Sequence, residues 1–140
     1  MRSFFALGLL VVAGCTASVP LIEAPPVTAE GLALSADRTT YARGAAVRLV
    51  LVNGAPTTAT TGVLECAQFE TWAGSAWVRS PVGNDRACIM IARVLAPGET
   101  MTGDITADVP AGSYRLTQSV SLEGTEEGVT VSTASFRVGG

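Results

Sequence analysis

The chain has 140 residues, with 9 Lys or Arg, 12 Asp or Glu and no His, and its formal net charge is −3. All nine basic residues are Arg, scattered singly along the chain, so the sequence lacks the basic patch that nucleic-acid binding requires. His and Lys most often supply a general base, a Schiff base or a metal ligand near neutral pH. Without them we expect a protein that is not an enzyme, with no catalytic residue, metal site or cofactor.

The first element along the chain is an N-terminal targeting segment. Arg2 is followed by an apolar run that starts at Phe4 and ends in Val12-Ala13-Gly14-Cys15. One charge, about ten apolar residues and small residues before a cut are typical of a secretory signal, which is too short to span a bilayer permanently. The final four residues resemble the lipobox of bacterial lipoproteins, in which the cysteine is lipidated. The alternative is an ordinary secretory signal with a cysteine there by chance.

Cleavage before Cys15 leaves one domain of ordinary size. Removing residues 1–14 from the 140 leaves 126, and the loss of Arg2 brings the net charge to −4. The lipid at Cys15 would hold the protein at the membrane, since each buried methylene contributes about 0.8 kcal/mol. Thr16 follows the cysteine, whereas an Asp there resembles the inner-membrane retention signal of Gram-negative lipoproteins. We therefore expect an outer-membrane protein, facing the periplasm or the cell surface.

Residues 15–30 are predicted to form a tether between the lipid and the domain. The segment contains Pro20, Pro25 and Pro26 among small residues, with no apolar periodicity. Fully extended, a Pro-rich stretch of this length reaches up to about 45 Å.

Residues 31–140 carry the pattern of an all-β domain, in which short apolar stretches are divided by turn residues. The stretch 46–53 is apolar on both faces and is predicted to be central or buried on both sides. The stretch 114–122 alternates most clearly between apolar and polar residues. In order, about eight strands are predicted at 31–36, 46–53, 63–72, 77–79, 86–95, 101–107, 114–122 and 129–138.

Cys66 and Cys88 remain once Cys15 is lipidated, and we predict that they form a disulfide in the oxidising envelope. They enclose 23 residues, counting both cysteines. A loop of that size contributes about 3 kcal/mol in the chain-entropy model. The alternative, a two-thiolate metal site, lacks the His or further Cys that tetrahedral coordination needs.

An ordered set of motifs over 31–140 resembles a bacterial immunoglobulin-like domain family. The resemblance implies a single antiparallel β-sandwich of about 7–8 strands that serves as a spacer or binding module, and it carries over no catalytic residue. The motifs are Tyr41-Ala42-Arg43-Gly44, Cys66, Trp77, Cys88, Leu95-Ala96-Pro97-Gly98-Glu99 and Gly112-Ser113-Tyr114-Arg115-Leu116.

One motif is similar to the tyrosine corner, in which a Tyr hydroxyl bonds back to nearby backbone. It places Tyr114 at the start of a late strand. Antibody domains have their second cysteine two residues after that Tyr, whereas Leu116 stands there in this chain. The resemblance therefore does not place the Cys66–Cys88 disulfide at the antibody position between two sheets.

Two groups of carboxylates do not have the spacing or pattern of a catalytic or calcium site. Asp104 and Asp108 would lie about 13 Å apart on an extended strand, too far for paired acid/base work. Glu123, Glu126 and Glu127 have no calcium-loop pattern around them and are predicted to solvate a hairpin tip.

The contact candidates lie around Trp72 and Trp77. We expect Trp77 to pack in the core near the disulfide and Trp72 to be exposed. An exposed Trp is a candidate contact residue because it supplies a large contact area with a polar handle. The binding candidates are Trp72, Pro81, Asn84 and Asp85.

The sequence thus predicts a non-catalytic, lipid-anchored binding or structural module. Its partner would be an envelope protein or polysaccharide. The alternative is an inhibitor of an envelope protease or lysozyme that inserts a loop, either 80–85 or 53–61, into an active site.

Overall fold

A computed structural model of the protein describes residues 19–139, so residues 1–18, including the predicted signal and Cys15, lie outside the described part. The described chain is an all-β sandwich of two sheets, which confirms the predicted fold class. The strands are β1 Leu32–Ala36, β2 Thr40–Ala42, β3 Ala46–Asn53, β4 Ala59–Thr61, β5 Gln68–Trp72, β6 Trp77–Arg79, β7 Arg93–Leu95, β8 Thr100–Thr106, β9 Gly112–Leu122, β10 Val129–Ser132 and β11 Phe136–Gly139, and a 3₁₀ helix spans Leu64–Cys66.

The smaller sheet has the order β1-β3-β8 and is antiparallel throughout. β3 is its central strand, as predicted, but it is buried on one face only. Val47, Leu49 and Leu51 point into the sandwich and are fully buried, while Val50 and Val52 on the other face are partly exposed.

The larger sheet is organised around β9, the longest strand, with 11 residues. β10 and β11 pair with one edge of β9, and β4 and β5 pair with the other. β6 and β7 then extend the sheet from β5 and β4. All of these pairs are antiparallel, whereas β2 adds to β11 in parallel, which departs from the purely antiparallel prediction.

A bulge interrupts the edge of β9 between β4 and β5. Thr61 pairs with Val120 and Gln68 with Thr117, so six residues on one side face two on the other. The excess chain forms the 3₁₀ helix, which turns Leu64 into the sandwich, where it is buried. Residues 63–67, predicted as the start of a strand, therefore close the gap between the sheets.

The core of the larger sheet contains a chain of aromatic rings in edge-to-face contact. Tyr41 and Phe136 lie 5.2 Å apart between ring centroids, Phe136 and Phe69 6.5 Å, and Phe69 and Tyr114 6.1 Å. Such pairs stabilise a core beyond the burial of their area. The Tyr114 hydroxyl donates to the Pro110 carbonyl at 2.7 Å, the backbone bond expected of a tyrosine corner.

Several strand boundaries differ from the prediction. β2 and β4 were not predicted, because Thr40–Ala42 and Ala59–Thr61 are short and show no apolar alternation. The predicted strand 129–138 is two strands, β10 and β11, which pair with different parts of β9. The predicted strand 86–95 is extended only in its last three residues, β7.

Part of the segment predicted as a tether lies along the domain. Val27 and Ser132 exchange two backbone hydrogen bonds, each of 3.0 Å. Before them, Ala24 exchanges bonds with Ser135. The Ile22 amide donates to the Ser113 hydroxyl at 2.8 Å. Residues 22–27 of the predicted tether thus contact the domain, and any free spacer lies before Ile22.

Candidate binding surface

The disulfide between Cys66 and Cys88 is present, with the two Cα atoms 5.5 Å apart, and it confirms the predicted pair. Cys66 ends the 3₁₀ helix of the bulge, and Cys88 lies in the long connection between β6 and β7. The bond therefore fastens this connection to the bulge in the larger sheet. It does not join two strands of opposite sheets, in agreement with the departure from the antibody pattern.

The first half of the β6–β7 connection is held from inside by Asn84. Its side-chain oxygen accepts the Phe69 amide at 2.7 Å, and its side-chain nitrogen donates to the carbonyls of Phe69 at 2.9 Å and Ser80 at 3.1 Å. The amide of Asn84 is thus fully engaged within the protein, which gives this binding candidate a structural role. Pro81 and Asp85, beside it, are exposed.

Arg86 fastens the same connection to the bulge. Its guanidinium donates to the carbonyls of Gly83 and Ala67 and lies over the Phe69 ring, 5.5 Å from the centroid. Burial lowers the pKa of Arg86 below its ordinary value. The guanidinium nevertheless stays charged at neutral pH, since an Arg pKa lies far above that range. The charged Arg86 side chain therefore holds the β6–β7 connection against the bulge.

Beyond this braced part, residues 88–92 form an exposed stretch that we call the apolar loop. Ile89 is 69% exposed, Met90 is 94% exposed, and Ile91 is also exposed. Val94, on the adjoining strand β7, is 65% exposed. Scattered exposed aliphatic residues are ordinary on protein surfaces, whereas large contiguous apolar patches are typical of interaction sites. The sequence does not predict this surface, because the apolar run 86–95 has the composition of a strand.

A groove of about 540 Å³ lies between the apolar loop and the outer face of the larger sheet. Its lining contains no charged side chain. The loop supplies aliphatic groups, and the floor supplies hydroxyls from residues such as Thr117, Ser119 and Ser121. Gln68 adds a buried side-chain oxygen that has no partner among the described residues. The groove therefore suits an uncharged group with an apolar part.

The two tryptophans form a second surface feature on the β5–β6 hairpin. Trp72 and Trp77 are partly exposed and meet edge to face, with centroids 5.6 Å apart. The Arg115 guanidinium lies 5.1 Å from the Trp77 centroid and pairs with Glu70 at 2.7 Å. The prediction of a core position for Trp77 is wrong, because its ring packs between Trp72 and Arg115 on the outer face.

The acidic groups do not form a chemical site in the described residues. Asp104 pairs with Arg48 at 3.2 Å and Asp108 with Arg43 at 3.9 Å, so the two carboxylates belong to separate surface ion pairs. The Glu residues at 123, 126 and 127 are exposed on the β9–β10 connection. Across residues 19–139, no group of three side chains is placed to hold a metal ion.

Comparison with models of known protein families finds no match for this chain. Comparison with curated proteins finds no similar sequence. No helix within residues 19–139 is long and apolar enough to cross a bilayer.

Proposed function

We propose that the protein is a non-catalytic, lipid-anchored envelope lipoprotein whose immunoglobulin-like domain binds another envelope protein through the apolar loop. The observation that carries the proposal is Met90, 94% exposed between two exposed Ile residues, on a loop whose first residue, Cys88, is fixed by the disulfide. The lipid at Cys15 and the outer-membrane location belong to this proposal.

Rigidity is what makes the apolar loop suitable for binding. Ordering a free loop on association costs free energy, and a loop held in its bound shape beforehand avoids part of that cost. Here Cys88 is bonded to the bulge, and the preceding residues are braced by Asn84 and Arg86. Met is also a suitable contact residue, because its flexible, polarisable side chain adapts to irregular surfaces.

The same geometry supports a second candidate, an inhibitor of an envelope protease or lysozyme. A loop that projects aliphatic side chains and is anchored at its first residue by a disulfide can enter an enzyme cleft, and the exposed Pro81 and Asp85 precede it in the chain. An inhibitor requires a hydrolase as the partner and loss of that enzyme's activity on binding. A binding module requires neither.

The test is recovery of cross-linked partners from the native envelope with the lipidated protein as bait. We expect the wild type to capture a partner that Met90→Glu does not capture, because a buried charge at the centre of an apolar contact is strongly unfavourable. Thr102→Glu, which adds the same charge to the smaller sheet, should capture it normally. Equal capture by wild type and Met90→Glu would contradict the proposal.

The identity of the partner separates the two candidates. If it is a hydrolase whose activity falls on binding and recovers with Met90→Glu, the protein is an inhibitor. Hydrolytic turnover by the purified protein would contradict both candidates.

A further inference from the structure

The N-terminal segment shows which end of the sandwich the lipid must approach. From Val27, beside β10, the chain leads back past Ser135 and Ser113 towards the end of the larger sheet where β9 begins. At this end the Val19 carbonyl accepts a bond from Arg137 at 3.3 Å. The described chain therefore starts at the β9 N-terminal end of the sandwich.

The reach of the chain from Val19 to Cys15 is short. Four residue steps separate them in the sequence, and a fully extended chain advances at most about 3.6 Å per residue, or about 14 Å in total. This bound holds for any conformation of the intervening residues. A lipid on Cys15 thus brings the β9 N-terminal end of the domain to the bilayer surface.

The Trp72–Trp77 pair lies at this same end. Thr71 is paired with Tyr114, which places Trp72 next to Ser113, where the Ile22 amide is bound. The hairpin turn beyond it, residues 73–76, is exposed and uncharged, and Val19, Ile22 and Val78 add exposed aliphatic groups. Trp favours the membrane interface, where its ring has an apolar body and a polar N–H.

The charges along the domain point in the same direction. Arg115 lies over the Trp77 ring, Arg79 follows Trp77 on β6, and Arg137 is paired with Ser113. Two acidic residues lie at the same end, Glu70 as the partner of Arg115 and Glu23 on the N-terminal segment, so three Arg against two Glu leave this group at +1. The three Glu residues of the β9–β10 connection lie at the opposite end of β9, which spans about 36 Å for 11 residues at ~3.3 Å each. An anionic leaflet attracts the first end and repels the second.

We infer that the β5–β6 hairpin, with Trp72 and Trp77, sits in the lipid headgroup region and fixes the orientation of the anchored domain. The inference rests on the proposed lipid anchor at Cys15. In this orientation the apolar loop is held away from the bilayer, because its groove is lined by the later part of β9, residues 117–121. The partner surface therefore stays open to the envelope.

The chain has only two Trp residues, so its Trp fluorescence reports on this hairpin alone. The test uses the full lipidated protein in vesicles of phosphatidylethanolamine and phosphatidylglycerol, with or without brominated acyl chains. We expect the emission to be quenched by the brominated lipid and to lie at shorter wavelength than in detergent. Arg79→Glu with Arg137→Glu should reduce the quenching.

A matched variant moves the probe to the apolar loop. With Trp72→Phe, Trp77→Phe and Met90→Trp combined, the emission should be the same in both kinds of vesicle. Quenching at position 90, or unquenched emission from the wild type with a lipidated Cys15, would overturn the inference while leaving the anchor intact. An intact mass with an unmodified Cys15 would refute the anchor and the inference together. The inference would also be overturned if the Trp emission moved to shorter wavelength only when an envelope protein was added to the vesicles.

Discussion

Asn84 is a single side chain that holds the chain leading into the apolar loop. Its three hydrogen bonds satisfy both backbone groups of Phe69, a buried residue, and the carbonyl of Ser80. In the sequence, Asn84 stands between a Gly and an Asp, a pattern that is typical of an exposed turn. Its role depends on Phe69, 15 positions earlier, and so could not be predicted from local pattern.

We predict that Asn84→Ala lowers the free energy of unfolding by about 3 kcal/mol. The substitution removes three hydrogen bonds and leaves the Phe69 N–H and the Ser80 carbonyl unpaired, while the Phe69 carbonyl keeps its bond from the Ser80 amide at 2.9 Å. Urea denaturation followed by Trp fluorescence measures the change. Asp85→Asn, at the exposed neighbouring position, should change stability by less than about 0.5 kcal/mol. Equal effects of the two substitutions would contradict the structural role of Asn84.

The Tyr41–Asp37 hydrogen bond makes the free energy of unfolding depend on pH. The Tyr41 hydroxyl donates to the Asp37 carboxylate at 2.6 Å, and the Arg48 amide donates to the same oxygen at 3.1 Å. The Tyr41 hydrogen bond, with help from the backbone, lowers the pKa of Asp37 below its ordinary value of 3.8. Burial, and then the bond to Asp37, raises the pKa of Tyr41, so its hydroxyl keeps its proton.

Because the pKa of Asp37 is lower in the folded protein, its contribution to stability is present above the ordinary pKa. It is lost as the pH falls through the folded value. We predict that wild type and Tyr41→Phe differ most at neutral pH and that the difference narrows below about pH 4. Urea unfolding across a pH series measures it. A difference that does not vary with pH would count against the assignment.

Among the elements, the β6–β7 connection differs most from the sequence prediction. The apolar run through Cys88 and Ile91 was predicted as a strand, because such runs in small domains are usually buried. The disulfide and the Arg86 contacts hold this chain instead, so it keeps its place without burying Ile89 or Met90. A covalent constraint between distant positions can thus override the pattern that the residues predict.

Strands with long, regular alternation were predictable, and so was the short strand β6 at 77–79, which follows a Gly-Ser turn. β1, β3, β8 and β9 have apolar residues at every second position and were predicted within one or two residues of their observed bounds. β4 lacks that pattern, and its place is fixed by pairing with β9. The bulge depends on a register difference across two strand pairs, which no local window contains.

The disulfide is predicted to stabilise the domain and to order the apolar loop. We expect Cys66→Ser with Cys88→Ser to lower the free energy of unfolding by about 3 kcal/mol in the chain-entropy model. Backbone amide hydrogen exchange of residues 86–92 should become faster in this variant. The amides of β3 and β9 should remain the slowest to exchange. Unchanged exchange in residues 86–92 would show that Arg86 and Asn84 alone hold the loop.

At the scale of the whole molecule, different surfaces of one sandwich carry different features. The β9 N-terminal end receives the N-terminal segment, the core is closed by the aromatic chain and the bulge, and the apolar loop projects from the outer face of the larger sheet. Such a division fits a domain that is held at a membrane and contacts a partner within reach. The all-β class followed from composition and alternation, whereas this arrangement of surfaces required the strand order.

The central claim is that the apolar loop is the contact surface. A photo-reactive amino acid placed at Met90 of the lipidated protein, and irradiated in its native envelope, tests it most directly. The same group at Glu126, on the exposed β9–β10 connection, is the control. We expect one discrete cross-linked protein from position 90 and none from position 126. No cross-link from position 90, or the same product from both positions, would contradict it.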